Sequence, residues 1–223
     1  MKRLYILCEG QTEEDFVNIV LAPCLKGVGV DVFPIICMTK RTSAKKHKGG
    51  VSSFGKIRKE LMRLCDEHPH EMITTMFDLC ALPNDTPSID YKGISIYDKA
   101  EHLEKAITDS IGNRFGNLLF NIVLHEFEGL LFSDVSAFES VADNEAIALL
   151  RSIRALFETP EHINDSPETA PSKRIKRAIP EYSKVSDGID IANIIGIDGI
   201  SAECRHFEKW VTKLTAWANE GTQ

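Results

Sequence analysis

Apolar runs and amphipathic segments alternate over the first 133 residues of the chain. Four apolar runs have the length and the β-branched content of buried strands: residues 3–8, 29–37, 72–77 and 118–124. The segments between them predict three helices: residues 13–26, 52–66 and 97–111. This order of strands and helices predicts an α/β fold with a mostly parallel sheet flanked by helices.

The pattern changes after residue 133, where strand signals stop and helical periodicity dominates. The predicted helices cover residues 135–157, 173–180, 187–195 and 203–219. Trp210 and Trp217 are seven residues apart, so they share one helix face and are expected to anchor the last helix. We therefore predict an α/β core over residues 1–133 and a helical C-terminal region over residues 134–223, packed on that core.

Acidic residues follow three of the predicted strands. Glu9 follows the first strand, Asp78 follows the third, and His125-Glu126-Phe127-Glu128 follows the fourth. The carboxyl ends of parallel strands meet at one edge of a sheet, where ligands collect. Buried carboxylates are costly unless they are paired or bound to a metal, and their oxygens suit Mg²⁺ or Mn²⁺. These acids, with Glu13 four residues after Glu9, predict a divalent-metal site.

Each acid also has a simpler interpretation. Glu13 favours a helix N-terminus, Asp78 is a common turn former or cap, and Glu9 could belong to a salt bridge. Glu126 and Glu128 would point apart in a helical turn, and Glu126 is expected to reach the site because it is nearer the strand. The zinc-protease pattern HExxH fails here because residue 129 is glycine.

The net charge of −7 is distributed unevenly along an otherwise ordinary globular composition. Residues 38–63 hold nine basic residues and one acid, and residues 173–184 hold five basic residues and one acid. These segments favour contact with a nucleic-acid backbone or, alternatively, keep the protein soluble. The nucleic-acid-binding candidates are Lys40, Arg41, Lys45, Lys46, Lys48, Lys56 and Arg174.

Membrane and secretion signals are weak. No stretch approaches the ~20 uninterrupted apolar residues of a membrane helix, and the N-terminal apolar run is too short for a signal peptide. The six cysteines are scattered without CxxC spacing, which favours free thiols in a reducing compartment. We therefore predict a cytoplasmic protein without membrane association.

Several sequence blocks together resemble a bacterial and archaeal domain-of-unknown-function family that is grouped with Toprim-like proteins. The blocks are Glu9-Gly10-Gln11-Thr12-Glu13, Phe77-Asp78 with Leu82-Pro83, residues 125–132 (HEFEGLLF), residues 167–174 (PETAPSKR) and residues 204–210 (CRHFEKW). The resemblance spans nearly the whole chain. It implies a Toprim-like fold with a glutamate after the first strand and an Asp-x-Asp pair after a later strand, binding Mg²⁺.

The resemblance assigns roles to particular residues. Glu9 matches the first acid and Asp78 the first aspartate of the pair, whereas Cys80 stands where the second aspartate is expected. Glu126 or Glu128 would replace that missing acid. Similarity to OLD-type nucleases extends to Glu13, and their later catalytic lysine is matched to Lys173.

From these residues we expect a Mg²⁺- or Mn²⁺-dependent nuclease that acts on DNA or RNA. Lys173 and Arg174 would neutralise charge on the phosphate, and His125 would orient a ligand or donate a proton. The resemblance also implies an ATPase partner and a role in antiphage defence. The alternatives are a non-catalytic binding or regulatory subunit of an ATPase complex and, third, a hydrolase of small nucleotides. The pattern leaves the oligomeric state open.

Overall fold

The computed structural model describes residues 1–37, 51–112, 116–164 and 168–220. Within these ranges the protein is an α/β structure with a parallel sheet flanked by helices, as the sequence predicts. The strands are β1 (Lys2–Cys8), β2 (Val30–Ile36), β3 (Met72–Asp78), β4 (Leu118–Leu119) and β5 (Ile122–Val123).

The sheet has the order β2-β1-β3-β4, and β5 pairs with the carboxyl end of β3. All the pairings are parallel. Cys8 lies opposite Ile36 of β2 on one side and Met76 of β3 on the other. Because β1 and β3 are neighbours and run in the same direction, the residues that follow them emerge side by side.

The fourth predicted strand is divided into β4 and β5. The Thr75 hydroxyl accepts a hydrogen bond from the Asn121 backbone N–H at 2.8 Å. It also donates to the Asn121 carbonyl at 2.7 Å. A side chain thus takes the place of a strand partner at this point, and the regular ladder is interrupted. The chain resumes pairing at Phe77 and Asp78, opposite Ile122 and Val123.

The described part of the N-terminal half contains α1 (Gln11–Phe16), α2 (Ala22–Lys26), α3 (Phe54–Glu67) and α4 (Ile96–Ile111). A π-helical turn, Val17–Leu21, joins α1 directly to α2. Pro23 lies in the first turn of α2, where the register of backbone hydrogen bonds changes. The predicted helix over residues 13–26 is therefore present, with an irregular turn in its middle.

The C-terminal region contains α5 (Phe127–Leu130), α6 (Asn144–Arg154), α7 (Pro171–Ala178), α8 (Asp187–Glu203) and α9 (Arg205–Asn219). The helix expected over residues 135–157 is instead a 3₁₀ segment, Val135–Ser140, followed by α6. The Asp134 and Asp143 side chains cap these two pieces, which explains the break. α8 extends beyond the expected residue 195 and is kinked at Gly196, which has a φ of 71°.

The two sheet faces bury different parts of the chain. On one face, Leu4 and Ile6 of β1 pack with apolar residues of α1, α2 and the C-terminal helices. Leu7 and Phe77 face α3 and α4. The Trp210 indole N–H of α9 donates to the Thr74 hydroxyl at 2.9 Å, so the last helix is held on the sheet as expected.

None of the helices in the described ranges is long and apolar enough to cross a membrane.

Candidate functional site: an acidic cluster at the carboxyl edge of the sheet

The carboxyl ends of β1 and β3 bring Glu9 and Asp78 together. The Asp78 backbone N–H donates to Glu9 Oε2 at 3.2 Å, and the Glu9 backbone N–H donates to the Met76 carbonyl at 3.1 Å. Asp78 is the last residue of β3, and only 6% of its surface is exposed. The parallel pairing of β1 with β3 therefore brings these two acids into contact through the backbone.

Glu13 joins them from the first turn of α1. Its Oε2 accepts a hydrogen bond from the Gly10 backbone N–H at 3.0 Å, which closes the turn between β1 and α1. The residue is nevertheless 96% buried, with 4% of its surface exposed. Glu13 thus stabilises the helix start, as its simpler interpretation requires, and also faces the cluster with its second oxygen.

The turn after β5 separates Glu126 from Glu128. His125 has a φ of 64°, a left-handed conformation uncommon for a residue with a side chain. Glu126 occupies the N-cap position of α5 in an extended conformation, without a side-chain hydrogen bond to that helix. Its Oε2 instead accepts from the backbone N–H of Ser172, in the first turn of α7, at 3.1 Å. Glu128 is buried with 3% exposed. Glu126 was expected to be the acid of this pair that reaches the site, but its hydrogen bond to Ser172 holds the carboxylate towards α7.

A lysine that the sequence analysis did not select lies among these acids. The Lys184 Nζ atom is 3.2 Å from Glu128 Oε2, 3.5 Å from Asp78 Oδ2 and 3.6 Å from Glu13 Oε1. Lys184 belongs to the segment between α7 and α8. We call Glu9, Glu13, Asp78 and Glu128 the acidic cluster, with Lys184 as its cation.

Burial raises the pKa values of most of the cluster. Burial, with the nearby charge of Glu13, raises the pKa of Glu9 to about 7. Burial also raises the pKa of Asp78 well above its ordinary value, although Lys184 acts in the opposite direction. The pKa of Glu128 is raised by burial in the same way. Among the described residues, the positive charge of Lys184 therefore does not offset the burial of these three carboxylates.

The same crowding raises the pKa of Lys184. Burial by itself would lower that pKa, but the negative charges of Asp78, Glu128 and Glu13 outweigh burial and raise it above its ordinary value. Lys184 therefore remains an ammonium ion over the physiological pH range, with 32% of its side chain exposed.

The donor type of the cluster can be compared with that of known divalent-cation sites. Carboxylate oxygens are the ligands that Mg²⁺ and Mn²⁺ prefer. The buried Asp78 Oδ1 atom has no hydrogen-bond partner among the residues that the structure describes. However, in that part of the chain no three Asp, Glu, His or Cys side chains are gathered closely enough to form a finished metal site. Three carboxylate oxygens lie 3.2–3.6 Å from Lys184 Nζ, a spacing that suits an ammonium group. Bonds from Mg²⁺ to oxygen are shorter, at about 2.0–2.1 Å.

His125 lies beside the cluster with two polar neighbours. Its Nδ1 is 3.1 Å from Asn164 Nδ2, and its carbonyl accepts from the Cys80 backbone N–H at 3.2 Å. The Cys80 thiol, where the resemblance expects a second aspartate, is 3.8 Å from the same Asn164 nitrogen. Burial raises the pKa of Cys80 to about 11, so this side chain is a neutral thiol at neutral pH.

Three of the predicted basic residues lie in the described ranges, on α3 and α7, and the others fall outside them. Lys173 is exposed on α7, whereas Arg174 donates to the Thr169 carbonyl at 2.6 Å and lies over the Phe157 ring. Lys56 is half-buried on α3, where its Nζ bonds the Ser52 hydroxyl. The remaining candidates lie outside the residues that the structure describes: Lys40, Arg41, Lys45, Lys46 and Lys48.

Sequence reasoning had little means of finding Lys184. The only sign was its position at the end of the basic segment 173–184, which is shared with Lys173, Arg174 and two other basic residues. No spacing rule connects a lysine in a connector to acids that precede it by 56 to 175 residues.

Comparisons with known proteins identify one family. Residues 8–215 match the family model described as "Domain of unknown function (DUF4276)". Neither the curated proteins nor the solved structures include a significant match to the chain. The matched range contains every member of the acidic cluster and Lys184. The chain therefore belongs to the DUF4276 family.

Proposed function

We propose that this protein is a Mg²⁺- or Mn²⁺-dependent phosphodiesterase that cleaves DNA or RNA, in the manner of Toprim-like nucleases. One observation carries the proposal. Three buried carboxylates from separate parts of the chain lie within 3.6 Å of one lysine, and a fourth, Glu9, accepts from the Asp78 backbone N–H beside them. The buried Asp78 Oδ1 has no hydrogen-bond partner in the described ranges. A purely structural ion pair needs far fewer acids, because each additional buried carboxylate destabilises the fold.

The acidic cluster would hold the cation. Glu9, Asp78 and Glu128 come from the ends of β1 and β3 and from α5, and Glu13 comes from α1. When bound there, a divalent ion would lower the pKa of a water molecule and offset negative charge on the phosphate under attack. Glu126 stands at the rim, where it connects the cluster to the start of α7.

The protein's own side chains can manage the proton and the phosphate charge. In the metal-free cluster, burial and the charge of Glu13 raise the pKa of Glu9 to about 7, so this carboxyl can exchange a proton near neutral pH. Lys184 is the cation nearest to the acids in the described part of the chain, and it can neutralise charge on a phosphate oxygen. The exposed Lys173 on α7 would contact the nucleic-acid backbone, together with the basic segment 38–63.

Cleavage of supercoiled plasmid and of labelled single-stranded RNA, with Mg²⁺ or Mn²⁺ and with EDTA, tests this proposal. Asp78→Asn should abolish metal-dependent cleavage. The matched control is Asp109→Asn, since Asp109 pairs with Lys105 on the exposed side of α4 and should be dispensable. Equal cleavage by wild type and Asp78→Asn would refute a catalytic role for the cluster.

A second candidate is a non-catalytic subunit of an ATPase complex. Two observations favour it: Lys184 already contacts three of the carboxylates, and Cys80 replaces the acid that the Toprim pattern requires. The ATPase partner and the link to antiphage defence rest on the family resemblance. Purification with a co-expressed ATPase, followed by the same cleavage assays, separates the candidates. Binding of the ATPase without cleavage under any metal condition would favour the subunit.

A further inference from the structure

Lys184 occupies the position in which a metal-free acidic cluster needs a positive charge. Its Nζ lies within 3.2–3.6 Å of carboxylate oxygens on α1, β3 and α5. These elements are distant in the chain, and the ammonium group is their shared contact. An acidic cluster is therefore held together here by a cation that belongs to the chain itself.

We propose that Lys184 is an internal substitute for the divalent ion, which enters the cluster by displacing the ammonium group. This inference rests on the proposed function, because it assumes that the acidic cluster binds a metal. It adds a regulatory property: Lys184 competes with the metal and sets the concentration at which the site fills.

The geometry indicates exchange instead of joint occupancy. A Mg²⁺ ion requires oxygen ligands at about 2.0–2.1 Å, so the carboxylates have to close inward from their present distances to Nζ. A divalent ion among Glu13, Asp78 and Glu128 would then share the same small volume with the ammonium group. The two cations repel each other strongly in a buried environment, and the ion with the higher charge gains more from the carboxylates.

Lys184 has a route out of the cluster. It lies between α7 and α8, outside any helix, and about a third of its side chain is exposed (32%). Its neighbour Tyr182 is buried at 2% exposed, and a Cβ added to Gly188 would lie 2.7 Å from the Tyr182 hydroxyl. Tyr182 therefore fixes the segment, while the long Lys184 side chain can swing outward. In that position the ammonium group would face an incoming phosphate, so that metal loading would prepare phosphate binding.

Calorimetric titration with MnCl₂ alone, at fixed pH and without nucleic acid, tests the competition. Lys184→Met should bind Mn²⁺ about tenfold more tightly than wild type, because the competing charge is removed. The matched control is Lys209→Met, since Lys209 pairs with the exposed Glu101 at 2.7 Å and should leave the affinity unchanged. Equal or weaker binding by Lys184→Met would overturn the inference.

A second measurement uses wild type and does not depend on the folding of a variant. Brief labelling with an amine-reactive reagent, read by mass spectrometry, should modify Lys184 several-fold faster with Mn²⁺ than with EDTA, while Lys209 reacts equally in both. Unchanged labelling of Lys184 in a protein that demonstrably binds Mn²⁺ would overturn this inference and leave the proposed function intact. Absence of Mn²⁺ binding by both wild type and Lys184→Met would overturn both.

Discussion

Buried acids have two different environments in this molecule, as the acidic cluster and the start of α9 illustrate. At α9, the buried Glu161 carboxylate accepts hydrogen bonds from the backbone N–H groups of His206 and Phe207 at 3.0–3.1 Å. The neighbouring Glu104 accepts from the Ile122 N–H at 2.9 Å and lies 2.8 Å from His206 Nε2. The N-terminal end of a helix favours negative charge, so Glu161 is matched by its surroundings.

The acidic cluster lacks this match between charges and donors. In the described part of the chain, its carboxylates rely on scattered backbone N–H groups and on the ammonium of Lys184. Burial raises the pKa of Asp78 well above its ordinary value, because the charged form is poorly compensated. Burial of an acid is thus compatible with a structural role where donors are present, and points to a ligand where they are insufficient.

Glu128→Gln and Glu161→Gln should separate the two regions most strongly. Glu128→Gln should lower metal-dependent cleavage by about a hundredfold, because a charged ligand is lost, without lowering the free energy of unfolding in EDTA at pH 8. Cleavage rates and urea unfolding of both variants provide the measurement. Full activity in Glu128→Gln would remove this residue from the proposed site.

Glu161→Gln should show the opposite profile. Glutamine replaces one carboxylate oxygen with an NH₂ group, which cannot accept hydrogen bonds from the backbone N–H groups of His206 and Phe207. The free energy of unfolding should therefore fall by about 2–3 kcal/mol. Cleavage per folded molecule should remain at the wild-type level. A loss of activity without a loss of stability would mean that Glu161 also serves the chemistry.

The stability of wild type in EDTA should decrease between pH 5 and pH 8. Glu9 has a pKa of about 7 in the folded protein and an ordinary value of 4.5 when unfolded, so the native state binds more protons between these values. Its contribution is fully present below pH 4.5 and is lost as the pH rises through 7. We expect a fall of about 2 kcal/mol in the free energy of unfolding.

Urea unfolding across this pH range checks the slope. Glu9→Gln should flatten it, because glutamine does not titrate, and Mn²⁺ should restore stability at pH 8 in wild type. A stability that rises with pH in wild type would show that the cluster is adequately compensated as it stands.

Trp210→Phe should have the smallest effect. It removes the 2.9 Å hydrogen bond from the indole to the Thr74 hydroxyl, which still donates to the Leu119 carbonyl. The free energy of unfolding should fall by about 1 kcal/mol, with cleavage unchanged. Trp217→Phe is the control, since Trp217 is only partly buried and should change stability less. Thermal unfolding of the three proteins suffices, and a larger loss in Trp217→Phe would contradict the assignment of Trp210 as the anchor.

Strand and helix periodicity was sufficient to predict most of the fold. The positions of β1, β2 and β3 and of α3, α4 and α9 follow from apolar runs and amphipathic spacing, which are local properties of the chain. The interruption between β4 and β5 depends on a hydroxyl 46 residues away, so no local pattern announces it.

The candidate site was predictable where its residues directly follow strands. Glu9 and Asp78 could be placed together because parallel strands bring their carboxyl ends to one edge. Nearness to the strand favoured Glu126 over Glu128, but the outcome depends on the left-handed backbone at His125 and on the hydrogen bond that Ser172 of α7 donates to Glu126.

The residue types and the hydrophobic pattern thus sufficed for the class of fold, the family blocks and an acidic sheet edge. Folding supplied the cation, because Lys184 reaches Glu13 across 171 residues of chain and through the packing of the C-terminal region on the sheet. Periodicity reports which face of an element is buried. It carries no information on which charged side chains from distant parts of the chain come together in the buried space. The charge balance of the buried acids depends on those contacts.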